Sequence, residues 1–305
     1  MSLVAPVLLS GGAFYVMESF SPDGFFDLVA EHRITATLIV PVMLYALQGH
    51  ARYATSDMSS METIFYGASP MSPAKLAKAI EDWGPIFYQF YGQTEAPMVI
   101  AHLKKGEHDP ARPERLASCG RPVPWMHVAL LDSDDRPVAP GTSGEICTRG
   151  PLVMTGYKDL PDETAEALSG DWLHTGDVGR FDDDGYLYIV DRTKDMVITG
   201  GFNVFPREVE DVISTHPAVS MVMVVGVPDD TWGEAVKAVV VLQPGRAPSD
   251  ELTRELQRLV KDAKGSQQSP KSIDYVESLP LTPVGKPDKK AVRARYWSGI
   301  DRAVS

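Results

Sequence analysis

Phe87-Tyr88-Gln89-Phe90-Tyr91-Gly92-Gln93-Thr94-Glu95 is an aromatic run that breaks at a glycine and ends on a hydroxyl and a carboxylate. Aromatic and β-branched residues suit the pleated, half-buried surface of a strand. Three similar runs precede it, Phe14-Tyr15-Val16-Met17, Thr37-Leu38-Ile39-Val40 and Ile64-Phe65-Tyr66, and the segments between them read as helices. Ser21-Pro22-Asp23 and Ser72-Pro73 each offer an N-cap followed by proline at the first helical position, where proline's missing N–H costs nothing. Alternating strands and helices predict βαβ units and a parallel sheet. Ligands of such sheets bind beyond the carboxyl ends of the strands. Gly67-Ala68-Ser69-Pro70 and Tyr91-Gly92-Gln93-Thr94-Glu95 are therefore the first places to expect a site.

Further along the chain the texture changes. From about Ala117 to Val190, short strands alternate with turn clusters such as Asp132-Ser133-Asp134-Asp135, Pro140-Gly141-Thr142 and Asp182-Asp183-Asp184-Gly185, which predicts a small antiparallel sheet or barrel. After Arg192 a compact α+β unit is expected. It has a helix from Pro206 to Thr215, strands at Met221–Val225 and Ala238–Leu242, and a helix capped near Ser249 that runs to about Lys261. The predicted fold class is α/β, with a parallel βαβ sheet, a small antiparallel β-subdomain and an α+β carboxyl-terminal domain. The expected divisions are 1–116, 117–193 and 194–305.

Composition narrows the function classes. The 305 residues carry a formal net charge of −12, which argues against binding nucleic acid, because that needs clustered Lys and Arg. It also disfavours an anionic membrane surface. Two cysteines, Cys119 and Cys147, have neither the density of a disulfide framework nor metal-ligand spacing and suit a reducing cytoplasm. The stretch from Met1 to Phe14 is fairly apolar, but it has no basic leader and is broken by Pro6, Gly11 and Gly12. No transmembrane segment is expected.

Several short segments carry chemistry. Thr94 can donate to a phosphate oxygen and Glu95 can hold Mg2+, which takes hard oxygen ligands; the same pair could equally cap a helix. His174-Thr175-Gly176-Asp177 sets an acid behind a turn glycine, and Asp191-Arg192 follows shortly after. A carboxylate can accept both hydroxyls of a ribose with an arginine beside it, or the two segments can form a surface turn with a salt bridge. Thr199-Gly200-Gly201-Phe202-Asn203 admits positive φ and close approach to a ligand, or is a tight hairpin. Leu281-Thr282-Pro283-Val284-Gly285-Lys286 puts one mobile lysine at a loop tip, able to reach a site made elsewhere.

Taken in order, these segments, together with Gly144-Glu145-Ile146 through Gly156-Tyr157 and Trp172 to Asp177, resemble the adenylate-forming superfamily. That superfamily includes acyl-CoA synthetases, firefly-type luciferases and peptide-synthetase adenylation domains. The resemblance runs over nearly the whole chain, and Thr199 through Glu210 is most similar to the acyl-CoA synthetases. It implies a two-step reaction in which a carboxylic acid and MgATP give an acyl-adenylate and pyrophosphate, and CoA then displaces AMP. The implied cofactors and partners are ATP, Mg2+, CoA and a carboxylic acid, in a cytoplasmic enzyme compatible with a homo-oligomer.

Residue by residue, the resemblance implies ATP or AMP contacts from Gly67, Ala68, Ser69, Tyr91, Gly92, Thr94, Asp177 and Arg192, and Mg2+ held at Glu95. Phe90, Gly92 and Met98, with Pro97, would line an apolar acyl pocket suited to fatty, alicyclic or aromatic acids. Lys286 would be the catalytic lysine, bridging substrate carboxylate and α-phosphate. Lys194 would be the hinge of a mobile carboxyl-terminal domain, and Gly200 and Gly201 would line the CoA channel, with Trp232-Gly233-Glu234 near the CoA nucleotide or in the core. On this reading residues 1–116 are a partial α/β subdomain of the large AMP-binding domain. The family's Ser/Thr/Gly-rich phosphate loop ending in lysine has no counterpart in the 305 residues; Leu9-Ser10-Gly11-Gly12 lacks both the length and the lysine. The expectation is therefore a fragment inactive by itself. The alternatives are an adenylation domain that loads a carrier protein, and a non-catalytic nucleotide- or CoA-binding remnant.

Overall fold

The structure, a computed structural model, describes residues 4–192, 195–282 and 287–297. Three sheets organise it. The first region holds α1 (Val4–Leu9), α2 (Pro22–His32), β1 (Ala36–Ile39), α3 (Pro41–Gln48), β2 (Thr63–Gly67), α4 (Pro73–Trp83), β3 (Phe87–Gln93), β4 (Ala96–Leu103), α5 (Pro113–Leu116) and β5 (Arg121–Pro122). The strands lie in the order β1-β2-β3-β4-β5.

β1, β2 and β3 pair in parallel, as the alternating pattern predicts, but β4 and β5 are antiparallel, so the sheet is mixed. The reason lies in the opening stretch. Gln93 pairs with Ala96, so Thr94-Glu95 is the tip of a tight hairpin rather than the start of a βα connection. Phe14-Tyr15-Val16-Met17 corrects the expectation in the other direction. Among the described residues it joins no strand; Phe14, Tyr15 and Val16 are exposed, and the Tyr15 ring stacks on His32 at 4.1 Å. Extended propensity without a partner ladder does not make a strand.

The two caps also differ. The Ser21 side chain accepts from the Gly24 N–H at 3.1 Å. Ser72 makes no side-chain cap, and its own N–H donates to the Tyr45 hydroxyl at 2.7 Å. Proline at N1 starts both helices. They pack on one face of the sheet, where Phe26, Leu44, Leu47, Leu76 and Ala79 meet Ile64, Tyr66 and Phe87.

The second region is an antiparallel sheet in chain order, β6 (His127–Leu131), β7 (Gly144–Arg149), β8 (Leu173–Phe181) and β9 (Leu187–Arg192), with α6 (Pro161–Ala167) between β7 and β8. Its core is shared with the first sheet, since Tyr91, Ala96 and Ile100 pack with Ile146, Leu173 and Leu187. The third region contains β10 (Val197–Thr199), β11 (Phe202–Val204), α7 (Pro206–Ser214), β12 (Val219–Asp229), β13 (Gly233–Leu242), α8 (Asp250–Lys264), β14 (Ser272–Tyr275) and α9 (Lys289–Ala294). β13 lies at the centre of that sheet, where it pairs with β10 and β14, and a long hairpin joins it to β12 at the edge.

Both faces of β12 and β13 are covered, by α7 and α8 on one side and by Val292 of α9 on the other, which is why β13 reads Val-Lys-Ala-Val-Val-Val rather than alternating with polar residues. The Ser249 cap is as expected, its side chain accepting from the Leu252 N–H at 3.1 Å. No helix among the described residues is long and apolar enough to cross a membrane.

A buried histidine gives the first region a pH dependence. His108 is 5% exposed. Its Nδ1 lies 2.8 Å from the Lys104 carbonyl, which can only accept, so Nδ1 carries the proton and Nε2 accepts from the Tyr66 hydroxyl at 3.0 Å. Burial depresses its pKa from 6.5 to about 4. The unfolded chain therefore binds the extra proton first, and the stability is present above about 6.5 and lost as pH falls through about 4. Urea unfolding at pH 4.5 should give a stability roughly 2.5 kcal/mol lower than at pH 7 from this residue. The loss should be absent in His108→Gln; an equal loss in that variant excludes His108 as its source.

Candidate active site

The site grows from the end of β3. Successive strand residues face opposite ways, so Phe90 and Tyr91 serve different surfaces. Phe90 stacks on Phe65 at 5.1 Å, 9° from parallel, and both rings contact Tyr88. Tyr91 points the other way into the shared core, where it is 6% exposed. Its hydroxyl donates to Asp177 Oδ2 at 2.8 Å, and burial, with the Asp177 charge adding to it, holds that phenol far above its ordinary pKa. This bond joins two segments 86 residues apart in sequence.

Asp177 sits in β8, itself 6% exposed. Arg192, its cross-strand partner on β9, donates from Nε to Asp177 Oδ1 at 3.1 Å. The arginine side chain is half-exposed, so the charge pair is anchored inside and open outside. The turn before the aspartate is fixed as well: the Gly176 N–H donates to Glu145 Oε1 at 2.9 Å, and the Thr175 hydroxyl donates to the Ile146 carbonyl at 2.6 Å. A carboxylate held this way is a preorganised acceptor for a vicinal diol.

Thr94 is exposed and Glu95 half-buried at the β3–β4 hairpin tip. The Tyr157 hydroxyl donates to Glu95 Oε1 at 2.7 Å, and the Met154 N–H donates to the Glu95 carbonyl at 2.7 Å. That hydrogen bond pushes the Tyr157 pKa up to about 12. A hydroxyl and an oriented carboxylate on one exposed tip have the chemistry a hard divalent cation takes. Tyr157 lies in the Gly156-Tyr157 pair already noted in the sequence, but its partner could not be read there.

Gly67 ends β2, and a Cβ on it would lie 2.3 Å from the Phe90 carbonyl oxygen. Glycine is what lets β2 and β3 approach so closely. Ala68 follows at φ +64 and exposed, with Ser69 half-buried. Gly92 and Met98 face one another across the hairpin, the Met98 carbonyl oxygen lying 2.7 Å from where a Gly92 Cβ would stand, and Met98 has φ +68.

Gly200 and Gly201, at φ +55 and +81, make the turn between β10 and β11. Trp232 is half-exposed and lies over Gly200, whose Cβ would meet the indole at 2.4 Å. Trp232 is thus not a core residue, while Glu234 beside it is buried at 4% exposure. Lys286 and Lys194 lie outside the described residues. Sequence reading missed Lys289, whose Nζ is 2.9 Å from Glu210 Oε1. Burial opposes its charge, but Glu210 and Asp191 outweigh that and hold its pKa above the usual lysine range. Asp191 in turn accepts from the Arg207 N–H at 2.8 Å at the start of α7.

Residues 1–158 match the AMP-binding enzyme family and residues 208–286 match the AMP-binding enzyme C-terminal domain. The chain is 56% identical over 303 residues to a medium/long-chain-fatty-acid–CoA ligase, FadD8, of Mycobacterium tuberculosis, covering 98% of this chain and 52% of that one. It is 40% identical to a feruloyl-CoA synthase of an Amycolatopsis species, covering 95% of this chain and 58% of that one. The chain thus spans a little over half the length of these curated relatives. Among solved structures, the amide bond synthetase McbA from Marinactinospora thermotolerans superposes with a TM-score of 0.90 at 40% identity, covering 96% of this chain and 58% of that one.

Proposed function

The chain belongs to the AMP-binding enzyme family, and from that premise we propose that it serves an AMP-forming acid–thiol ligase reaction, in which a carboxylic acid, ATP and CoA give acyl-CoA, AMP and pyrophosphate. The observation that carries the reading is the buried Asp177 carboxylate, fixed by Tyr91 and by Arg192, whose own side chain is half-exposed. In this reading Asp177 takes the ribose hydroxyls and Arg192 lies beside them, while Thr94 reaches phosphate. Mg2+, held at Glu95, neutralises phosphate charge when bound. Gly67, Ala68 and Ser69 border the adenine, and Phe90, Gly92 and Met98 border the acyl group.

Lys286 neutralises the charge that develops as the substrate carboxylate meets the α-phosphate. Rotation at Lys194 then exchanges it for the CoA channel at Gly200 and Gly201, which lets one site serve both half-reactions. The acid is read as apolar because the Phe65, Tyr88 and Phe90 rings cluster on that face. The cytoplasmic setting rests on two buried free cysteines. A domain division at 116/117 and 193/194 belongs to the same reading.

CoA is the proposed acceptor on the likeness of Thr199 through Glu210 to CoA ligases. The amide bond synthetase among the similar structures makes an amine the specific competitor, and AMP release by a full-length, turnover-competent version on adding CoA, a carrier-protein thiol or an amine separates the three. Because the 305 residues contain no Ser/Thr/Gly-rich loop ending in lysine, we further propose that this polypeptide alone binds nucleotide without turnover. Isothermal titration should show AMP binding, with no ATP–pyrophosphate exchange. Absence of AMP binding counts against the ribose assignment, and robust exchange counts against the inactivity.

A further inference from the structure

A second cluster of chemically active side chains lies on the face of β7 and β8 away from Ile146. Cys147 and His174 are direct cross-strand partners, and Glu145 stands two residues before Cys147 on β7. The pairing register slips between Glu145 and Cys147, where Thr175-Gly176-Asp177 is accommodated on β8. As a result Glu145, Cys147 and His174 converge, with one ligand atom from each lying within 4.8 Å of the others. His174 Nδ1 is 2.9 Å from Glu145 Oε2 and 3.5 Å from Cys147 Sγ. A tetrahedral ion with bonds of about 2.0–2.3 Å sets its ligands roughly 3.3–3.8 Å apart, so a small movement of Glu145 suffices.

The surroundings point to a cation. Asp135, at the β6–β7 turn, lies with Oδ1 3.7 Å from His174 Nε2, on the far side of the ring. His174 Nε2 is buried with no hydrogen-bond partner among the described residues. A metal-bound imidazole presents its other N–H to a carboxylate in this way, and a modest closing of the 3.7 Å gap would satisfy that nitrogen. Two carboxylates and a thiol thus surround one imidazole, and among the described residues neither carboxylate pairs with a lysine or arginine.

We propose that Glu145, Cys147 and His174 form a binding site for one borderline divalent transition ion of the Zn2+ type, with water as fourth ligand and Asp135 orienting His174. A thiolate, an imidazole and a carboxylate together suit Zn2+ and Co2+ and exclude Mg2+. The thiol proton leaves on coordination. Glu145 would bind the ion through Oε2 while Oε1 keeps the Gly176 N–H, so the ion stiffens the turn that carries Asp177. The site stands independently of the nucleotide reading.

The test uses the chain freed of metal and titrated with Co2+, then Zn2+. One ion per chain should give a cobalt–thiolate charge-transfer absorption that Zn2+ abolishes and excess Mg2+ does not. The band should vanish in Cys147→Ser and His174→Gln and persist in Cys119→Ser. Asp135→Asn keeps all three ligands and should weaken Zn2+ about 10–100-fold. If Cys147→Ser fails to fold, the band in the unsubstituted chain and its weakening in Asp135→Asn decide. No cobalt–thiolate band, or Zn2+ bound equally well without Cys147, overturns the site and leaves Glu145, Cys147 and His174 as a hydrogen-bonded cluster without an ion.

Discussion

Asp177→Ala is expected to weaken AMP binding by roughly 10²–10⁴-fold, because it removes two hydrogen bonds from a charged acceptor, each worth about 1.5–3 kcal/mol. The aspartate is already desolvated, and Tyr91 and Arg192 already point at it, so little reorganisation offsets the loss. Alanine also strands the buried Tyr91 hydroxyl, which costs stability by itself. Asp177→Asn separates the two effects, since its amide oxygen still accepts from Tyr91 while the charge is gone. That variant should unfold close to the unsubstituted chain yet bind AMP about 100-fold more weakly. Calorimetric titration of all three decides the matter. An Asp177→Asn chain that binds AMP as tightly as the unsubstituted one removes the ribose role from this residue. Lys286→Ala provides the contrast: its proposed part is at the reacting carboxylate, so exchange in a competent enzyme should collapse while the ribose contact stands.

Lys289→Met is expected to destabilise the third region by about 3–5 kcal/mol. The lysine side chain is 20% exposed and Glu210 12%, and Glu210 also accepts from the Val224 N–H at 2.8 Å in β12. Removing the ammonium leaves that carboxylate, and Asp191 nearby, without their countercharge. Urea unfolding with hydrogen exchange read at the β12 and β13 amides would measure the loss where it falls. Adding Glu210→Gln to Lys289→Met should restore part of the stability, because a neutral amide costs less to leave unpaired there. A double variant no better than the single one assigns the loss to packing of the lysine stem instead.

The architecture was legible where strand propensity and a partner coincided. β2, β3, α7 and α8 sit close to where the Ile64, Phe87, Pro206 and Ser249 signals place them. Phe14-Tyr15-Val16-Met17 carries the same local signal but joins no ladder among the described residues, and local pattern cannot reveal that. The turn at Thr94-Glu95 was visible but its hand was not: whether a strand is followed by a helix or folds back depends on the apolar run from Ala96 to Leu103, which pairs along both its edges.

For the site, Asp177 and Arg192 were named from their segments, and the structure adds that Tyr91 connects them to the first sheet. Tyr157 and Lys289 escaped because their partners, Glu95 and Glu210, are 62 and 79 residues away, and long-range pairing leaves no periodic trace. Trp232 stayed open between two places in the sequence, since an indole lying over a glycine turn and an indole in a core have the same local sequence.

The two native thiols have a practical consequence. Cys119 and Cys147 are both buried, and burial raises both pKa values, that of Cys147 to about 12. Alkylation needs a thiolate in contact with solvent, so at neutral pH neither should take a maleimide dye while the chain is folded. Cysteines introduced on the surface, one in the second region and one in the third, would then be the sole reactive pair, and the separation across residues 193–194 could be followed by energy transfer without first removing the native sulfurs.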